Sequence, residues 1–362
     1  MLETLLKSGY IKSEFKTNDV IHLELMPLGS SLFQNIQIEW AKNKTDLNIY
    51  TGKSYVSPQQ ISHSNNEAMN FVKTKYFKEN FLFCKEKLQN YFPLAIKTFL
   101  TTNQIDINSK ISFPHKTFMI CDYFFNETQA YEKFSKIQRE RKIWWMKHST
   151  DPGRFFLSDL KSDVIQKHKV QTVKIKAKFS FGDIDLESID VVPLRALLPE
   201  DYKEFYLFDK KLNKKCCPVV VHSETCADVG TITLLLDALE NSNSNKLSLH
   251  RCVSPYQCSI CCLLEDEEEN RNLEDLAIHL SGVLRKLNIR ILNLSKQNST
   301  DYKSLEKELN QVDKLGVPYS LILEYKTLQN GLLKLRNRDT TISEEIHISE
   351  LTEYLAKIFN YF

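Results

Sequence analysis

The strongest constraint on the fold lies in the last third of the chain. There, segments with the apolar pattern of a β-strand alternate with segments with the apolar pattern of an α-helix. A predicted strand over residues 257–264 precedes a helix whose leucines recur at spacings of three and four. A second strand follows at 289–292, and the next helix stops at Gly316-Val-Pro318. Beyond it we predict a hairpin with its turn at Asn330-Gly331, and then a last helix. The order βαβαββα predicts a mixed sheet with helices packed against it.

The residue pattern in the preceding part of the chain predicts the strands and helices of a second structural unit. Residues 170–181 alternate apolar and lysine side chains, the period of two expected for a strand with one solvated face. A helix is predicted over 127–148, where cations alternate with aromatic residues as far as Trp144-Trp145. An apolar strand at 217–222 leads into another helix at 231–239.

The length and one polar segment predict the domain division. A chain of 362 residues with 42% hydrophobic residues exceeds one ordinary core. Residues 241–245 are polar and uncharged, which is typical of a linker. We therefore predict an α+β protein with domains at 1–240 and 246–362.

Positive charge is concentrated in the middle of the chain. The net charge is only +2, but the segment from Lys133 to Lys178 contains thirteen Lys or Arg residues and only four carboxylates. Such a segment is suited to phosphate contact. Two other interpretations stay open: a solvated helix face around core tryptophans, and a lysine-protected sheet edge. The candidate DNA-binding residues are Arg139, Arg141, Lys142, Lys147, Lys174, Lys176 and Lys178.

A second charged group follows the predicted turn at Asn330-Gly331. Strand alternation directs Leu333 and Leu335 into the core and their neighbours to the other face. An outward leucine among arginines is suited to a protein interface, and the alternative is a solvated hairpin face. The candidate partner-binding residues are Leu332, Lys334, Arg336, Arg338 and Asp339.

Glycine spacing excludes the common nucleotide-binding loops. The nine glycines are never closer than fifteen residues apart, so the sequence contains neither the dinucleotide-binding glycine motif nor a P-loop. No catalytic residue and no cofactor are predicted.

The cysteines indicate free thiols. Nine is an odd number, and the residues are scattered, which favours a reducing compartment. Cys258 and Cys261 have the spacing of zinc ligands, but within a strand they point to opposite faces, so we expect no metal site. A Cys/His nucleophile pair is possible on paper, but no cysteine lies in a recognisable nucleophile context. No run of eighteen apolar residues exists to span a membrane, and residues 1–16 make a poor transit peptide.

Three blocks of residues, spread over nearly the whole chain, match the signatures of one family. The first runs from Asn330 to Thr341 and continues from Ile346 to Leu351. The other two blocks are Trp144-Trp-x-Lys147 with Pro152, Phe155, Ser158 and Asp159, and Pro27-Leu-Gly29 with Asn35, Glu39 and Trp40. With these blocks the chain resembles the accessory subunits of mitochondrial DNA polymerase gamma.

The resemblance implies both a fold and a function. The family is similar to class II aminoacyl-tRNA synthetases, with an antiparallel sheet domain followed by an anticodon-binding-like α/β domain. Where an active synthetase carries a glycine-rich motif ending in an ATP-binding arginine, residues 227–233 read Ala-Asp-Val-Gly-Thr-Ile-Thr, so ATP activation is expected to be lost. The implied role is a non-catalytic processivity subunit in the mitochondrial matrix and nucleoid. Its implied partners are the catalytic polymerase subunit and primer-template or duplex DNA.

Two further expectations come from the resemblance. Vertebrate members dimerise through an inserted helical hairpin, and residues 51–80 are too few for two long helices, so no homodimer is expected. The alternative functions are a divergent aminoacyl-tRNA ligase and a tRNA- or RNA-binding paralogue without a polymerase partner.

Overall fold

The computed structural model describes residues 6–17, 20–42, 47–57, 75–102, 111–165, 167–198, 202–240, 246–263, 267–295 and 302–360. The predicted linker at 241–245 lies outside these residues, and the domain boundaries stay a prediction. Within the described residues, no helix is long and apolar enough to cross a membrane.

Fourteen strands are described in the N-terminal part. They are β1 (Ile11–Thr17), β2 (Val20–Leu25), β3 (Ile49–Thr51), β4 (Tyr55–Ser57), β5 (Leu94–Thr102), β6 (Ile111–Ser112), β7 (Lys116–Phe125), β8 (Phe155–Leu157), β9 (Lys161–Ile165), β10 (His168–Phe179), β11 (Gly182–Pro193), β12 (Leu207–Asp209), β13 (Lys214–Cys216) and β14 (Val219–Cys226).

Nine of these strands form one large sheet. Its order is β3-β5-β7-β14-β11-β10-β8, with β4 also paired to β5 and β9 to β10. From β5 to β8 every neighbouring pair is antiparallel, whereas β3 and β4 run parallel to β5. The antiparallel sheet implied by the resemblance is therefore confirmed. Strands β5 and β11, which lie inside this sheet, were not predicted from the sequence.

The helices of this part pack on both faces of the sheet. They are α1 (Pro27–Lys42), α2 (Lys75–Lys87), α3 (Glu127–His148), α4 (Leu194–Leu197) and α5 (Ala227–Glu240). The larger core joins Ile175 and Val191 of the sheet to Trp145 of α3 and Leu234 of α5. On the opposite face, Phe81 of α2 packs into a second core with Phe124 and Val220.

The sequence pattern predicted the start of one helix of this part and missed the start of another. Helix α3 covers the predicted 127–148, and it begins after Asn126, whose side chain accepts a 2.9 Å hydrogen bond from the Gln129 amide. Helix α1 begins at Pro27, a start that the sequence pattern did not predict. Proline is tolerated there because the first amides of a helix have no intrahelical acceptor.

The C-terminal part is a mixed five-stranded sheet, which confirms the predicted class. Its order is β16-β15-β17-β18-β19, with β15 parallel to β16 and β17, and with β18 antiparallel to β17 and β19. Its strands are β15 (Cys258–Cys262), β16 (Ile291–Asn293), β17 (Tyr319–Leu323), β18 (Leu332–Asn337) and β19 (Ser343–His347). Its helices are α6 (Glu267–Lys286), α7 (Tyr302–Lys314), α8 (Tyr325–Asn330) and α9 (Ile348–Asn360).

The predicted hairpin turn at Asn330-Gly331 is wrong. The short helix α8 connects β17 to β18. Gly331 follows its last residue as a C-cap in the left-handed conformation, with φ of 71°. A Cβ atom on Gly331 would lie 2.5 Å from His347 Nε2, so the close approach also favours glycine. The hairpin lies one strand later, between β18 and β19, which the sequence pattern did not predict.

The cysteines of β15 lie on opposite faces, as predicted. Cys258 is buried in a core with α6, and Cys261 is buried in a separate core with α7. In the part of the chain that the structure describes, no group of three or more His, Cys, Asp or Glu residues could hold a metal ion.

The two parts contact each other directly. Asn35 of α1 donates hydrogen bonds to the carbonyl oxygens of Val253 and Ser254, at 3.1 and 3.0 Å. The Tyr10 hydroxyl donates a 2.8 Å bond to the Leu315 carbonyl. Leu249 and Val253 pack into the core of the N-terminal sheet. Residues 246–257 therefore connect the two sheets by packing as well as covalently.

Candidate partner and nucleic-acid surfaces

The predicted partner-binding strand β18 is covered on both faces. Leu333 and Leu335 are buried in the core, as the alternation predicted. On the other face, Arg336 makes a bidentate ion pair with buried Asp313 of α7, with both N–O distances at 2.9 Å. Lys334 lies 2.6 Å from Glu324. These cations hold the sheet against α7 and α8, so they are less available to a partner than the sequence suggested.

Arg338 corrects the sequence prediction outright. Its side chain is 3% exposed, and its guanidinium donates to the carbonyl oxygens of Gly316 (2.9 Å) and Leu249 (3.1 Å). Its Nε also donates a 2.8 Å hydrogen bond to Asp339. Gly316 and Leu249 are distant in sequence, so strand alternation alone pointed Arg338 toward solvent. Arg338 is therefore buried and anchors the turn that follows it.

The turn after Arg338 is the exposed part of this hairpin. Asp339, Thr340 and Thr341 are exposed, and Ile342 is exposed by 69%. Leu332 at the other end of β18 is 37% exposed. We name residues 339–342 with Leu332 the hairpin surface. The sequence pattern did not single out Ile342.

Arg141 also corrects the sequence prediction. It is 3% exposed and pairs with buried Glu187 of β11, with Nε–Oε1 at 2.7 Å and Nη2–Oε2 at 3.0 Å. The same carboxylate accepts hydrogen bonds from Trp145 Nε1 (2.8 Å) and Ser223 Oγ (2.6 Å). Arg141 is therefore a buried core residue whose guanidinium is engaged by Glu187, and not the exposed cation that the sequence predicted.

The tryptophans of this helix are core anchors. Trp144 and Trp145 are both buried, and the Arg141 guanidinium lies 5.0 Å from the Trp144 ring centroid and 5.8 Å from that of Trp40. The two sequence blocks that carry these tryptophans therefore meet in one packed cluster. The interpretation of the tryptophans as structural residues is confirmed.

The other cations of α3 are accessible. Arg139 and Lys147 are exposed, and Lys142 is half-buried. They differ from Arg141 because the helix turns its remaining face away from the sheet.

The lysine row of β10 is not a sheet edge, because β10 pairs with β11 on one side and with β8 and β9 on the other. Lys174 and Lys176 both lie 3.0 Å from the carboxylate of Asp185. Although burial opposes it, hydrogen bonds from these lysines lower the pKa of Asp185. Lys178 is exposed. Two of the three lysines thus share a carboxylate on the sheet face away from the main core.

Comparison with known proteins decides the family. The DNA polymerase subunit gamma-2, mitochondrial, of Drosophila melanogaster is 31% identical over 353 residues, which is 95% of this chain and 95% of that protein. The chain belongs to the family of mitochondrial DNA polymerase gamma-2 subunits. DNA polymerase subunit gamma-2 of Mus musculus is 28% identical over 233 residues, covering 60% of this chain and 48% of the mouse protein.

Two further matches agree with the fold. The family model described as "Anticodon binding domain" matches residues 257–358, the mixed sheet and its helices. A glycine--tRNA ligase of Chlorobaculum tepidum is 24% identical over 246 residues, covering 66% of this chain and 50% of the ligase. The gamma-2 family thus shares sequence with a class of aminoacyl-tRNA ligases.

Residues 227–233, where the resemblance predicts the counterpart of a ligase motif, are packed as ordinary helix. Helix α5 begins at Ala227, so the segment is its first two turns and not a loop before it. A Cβ atom on Gly230 would lie 2.7 Å from Trp145 Cη2, so the glycine admits the tryptophan ring. Asp228 is buried and accepts a 2.8 Å hydrogen bond from the Thr117 amide. The segment joins α5 to α3 and β7.

Asp228 predicts a pH-dependent stability. Burial raises its pKa from 3.8 to about 6. Since the folded-state pKa exceeds the unfolded one, the contribution of Asp228 is full below pH 4 and is lost as the pH rises through 6. Asp228→Asn should match the wild type at pH 4 and exceed its unfolding free energy by about 1–3 kcal/mol at pH 7.5, measured by urea denaturation.

The matched variant for this prediction is Asp228→Ala. It removes the acceptor for the Thr117 amide, so it should be less stable than Asp228→Asn at both pH values. An asparagine variant that is less stable than the wild type at pH 7.5 would show that the ionised carboxylate is favourable in the fold.

Proposed function

We propose that this chain is a non-catalytic accessory subunit of the mitochondrial replicative DNA polymerase, acting in the matrix and nucleoid. It binds the catalytic subunit and stabilises that subunit's hold on primer-template DNA. The observation that carries the proposal is the similarity to the Drosophila gamma-2 subunit along 95% of both chains.

The experiment that tests this function is affinity purification of the tagged chain from mitochondria, followed by identification of co-eluting proteins. We expect the catalytic polymerase subunit, and we expect the purified chain to lengthen the products that this subunit makes on a primed template. Co-elution of tRNA ligases or tRNA without polymerase would contradict the proposal.

The hairpin surface is the part of the C-terminal domain that we propose for the catalytic subunit. Its support is an exposed isoleucine beside Thr340 and Thr341, on a turn held in place by buried Arg338. An apolar side chain on a fixed turn is suited to the centre of an interface, where charged residues are depleted. Asp339 lies on the same turn, and Leu332 at the other end of β18 is a second exposed apolar position of this hairpin.

For DNA we propose the accessible cations of the basic segment: Arg139, Lys142, Lys147 and Lys178, with Lys174 and Lys176 as weaker contributors. Asp185 already lies within ion-pair distance of the last two. Phosphate contact there would compete with an existing pair, whereas Arg139 and Lys147 extend from the exposed side of α3. Binding through such contacts is independent of base sequence.

The salt dependence of duplex binding tests these cations. If about four phosphates are neutralised, log K should fall against log salt with a slope of about −3.6. Arg139→Gln with Lys147→Gln should flatten the slope by about 1.8, and Lys174→Gln with Lys176→Gln by less. An unchanged slope in the first pair would reject both residues as phosphate contacts.

The alternative is a divergent aminoacyl-tRNA ligase, which the partial similarity to glycine--tRNA ligases favours. Residues 227–233 lack the arginine that such a site would use on a triphosphate. Amino-acid-dependent pyrophosphate exchange separates the two functions. We expect a rate equal to a blank without protein.

We also propose that the chain is a monomer in isolation. The reason is the short segment at 51–80, of which residues 58–74 lie outside the described part of the chain. Light scattering at micromolar concentration distinguishes a monomer from a dimer.

A further inference from the structure

A cavity of about 380 Å³ lies at the end of the N-terminal sheet, beside the hairpin formed by β12 and β13. Its walls come from this hairpin, the beginning of β14, the residues after β11, the start of β10 and the segment that enters α3. Protein sites for small molecules begin at about 300 Å³, so the space suits a ligand of modest size. The accessible cations proposed above for duplex DNA do not line it.

Four of the thirteen residues that line this cavity have basic side chains. Arg195, Lys214, Lys215 and His168 contribute basic groups, and among the lining residues Glu127 carries the one carboxylate. The hairpin that forms one wall reads Asp-Lys-Lys-Leu-Asn-Lys-Lys from residue 209 to 215. Four of its lysines are exposed. Sequence reasoning missed this run because it falls outside the basic segment from Lys133 to Lys178.

The positive charge extends to a neighbouring helix. The pKa of Lys85 on α2 is lowered, first by burial and then by repulsion from Lys215. Glu86 and Glu204 act in the opposite direction and raise the pKa of Lys85, so the positive charge at this position is partly compensated.

The hairpin is held in one conformation. Asp209 is buried and accepts hydrogen bonds from the amides of Lys211 (2.9 Å) and Leu212 (3.1 Å) and from Asn126 Nδ2 (2.7 Å). The Lys210 ammonium lies 3.3 Å from the Tyr91 ring centroid. The one carboxylate of the lysine run is thus engaged inside the turn, and the remaining lysines stay on a preorganised support.

The lining also has an apolar side. Leu212, a leucine exposed by 55%, lines the cavity together with Pro193, Pro218 and Val219. A ligand for these walls combines an anionic group with a flat or apolar moiety. Lysine and arginine are the side chains that proteins use to bind phosphate oxygens.

We propose that this cavity binds a phosphate ester about the size of a nucleotide, through Lys214, Lys215 and Arg195 and against Leu212. The phosphate comes from a free nucleotide or from a nucleic-acid strand, and the two sources are distinguished by the test. The site goes beyond the proposed subunit function, because it requires neither the catalytic subunit nor the cations of α3.

The test measures binding of two probes to the full chain by fluorescence anisotropy at low salt. The probes are a fluorescent thymidine 5′-triphosphate and a labelled 20-base-pair duplex, and unlabelled thymidine is the uncharged competitor. The variant Lys214→Glu/Lys215→Glu reverses two exposed charges. Its matched control is Arg285→Glu/Lys286→Glu at the exposed end of α6, which changes the net charge equally. Lys214→Gln/Lys215→Gln removes the charges without adding carboxylates, and thermal unfolding checks each fold.

We expect the Lys214/Lys215 variants to bind at least one of the two phosphate probes at least tenfold more weakly than the wild type. The affinity of the control variant should stay within twofold of the wild type. Loss confined to the triphosphate assigns a free nucleotide, and loss confined to the duplex assigns a nucleic-acid phosphate. The proposal would be overturned if thymidine competed as strongly as unlabelled thymidine 5′-triphosphate, or if the Lys214/Lys215 variants and the control had equal effects on both probes. Affinity for the catalytic subunit, measured on the same proteins, separates this result from a failure of the proposed subunit function.

Discussion

Arg141→Met is expected to lower the free energy of unfolding by about 3–5 kcal/mol, the largest effect that we predict for a single substitution. The change removes the guanidinium and leaves the Glu187 carboxylate buried without its ion pair. Trp145 and Ser223 still donate to that carboxylate, but their neutral donors do not compensate its charge. Chemical denaturation followed by tryptophan fluorescence measures the loss, since Trp144 and Trp145 lie in the same cluster.

The matched control is Arg139→Met, two residues earlier on the same helix. Arg139 is exposed, so its replacement should change stability by no more than about 0.5 kcal/mol. The double variant Arg141→Met/Glu187→Gln should recover part of the loss, because it removes the unpaired charge and keeps an amide oxygen for Trp145. Equal stability of the two methionine variants would mean that the Arg141–Glu187 pair does not hold the sheet to α3.

Arg338→Ala is expected to cost about 2–3 kcal/mol of folding stability. The buried Leu249 carbonyl loses its arginine donor, and the Gly316 carbonyl keeps only its hydrogen bond from Ser254. The turn at 339–342 also loses its anchor, so association with the catalytic subunit should weaken as well. Thermal unfolding and subunit affinity, measured on one preparation, give both values.

Ile342→Asp separates stability from association at the same turn. Ile342 is mostly exposed, so the variant should have the same unfolding temperature as the wild type. Its affinity for the catalytic subunit should fall by about 2 kcal/mol, or roughly thirtyfold, if the side chain is an interface anchor. Val164→Asp on β9, at an equally exposed apolar position, should leave the affinity unchanged. Native affinity of the Ile342 variant would remove the hairpin surface from the proposed interface.

Local periodicity was enough to predict several elements correctly. Helix α3 lies at the predicted residues because Asn126 caps its start and its apolar residues recur at helical spacing. Strand β10 follows from strict alternation, and the βαβα portion of the C-terminal sheet follows from leucine spacing and the stop at Gly316. Opposite burial of Cys258 and Cys261 follows from the period of two.

Exposure was harder to predict than secondary structure. Alternation directs Arg336 and Arg338 away from the leucines of β18, but it does not say whether solvent or another element lies on that side. Asp313 of α7 and the Leu249 carbonyl lie there. Likewise, helical periodicity could not distinguish Arg139 from Arg141, because only the position of Glu187 on β11 decides which of them is buried.

The tertiary structure alone decided which charges are available for function. Glu187, which pairs with Arg141, and Leu249, which accepts from Arg338, lie 46 and 89 residues away along the chain, outside the range of any local pattern. A buried cation persists only where such a distant acceptor compensates its loss of hydration, so its role is a property of the packed fold. The exposed Lys214 and Lys215 next to a cavity, and the exposed Ile342 on an anchored turn, depend in the same way on which elements pack beside them.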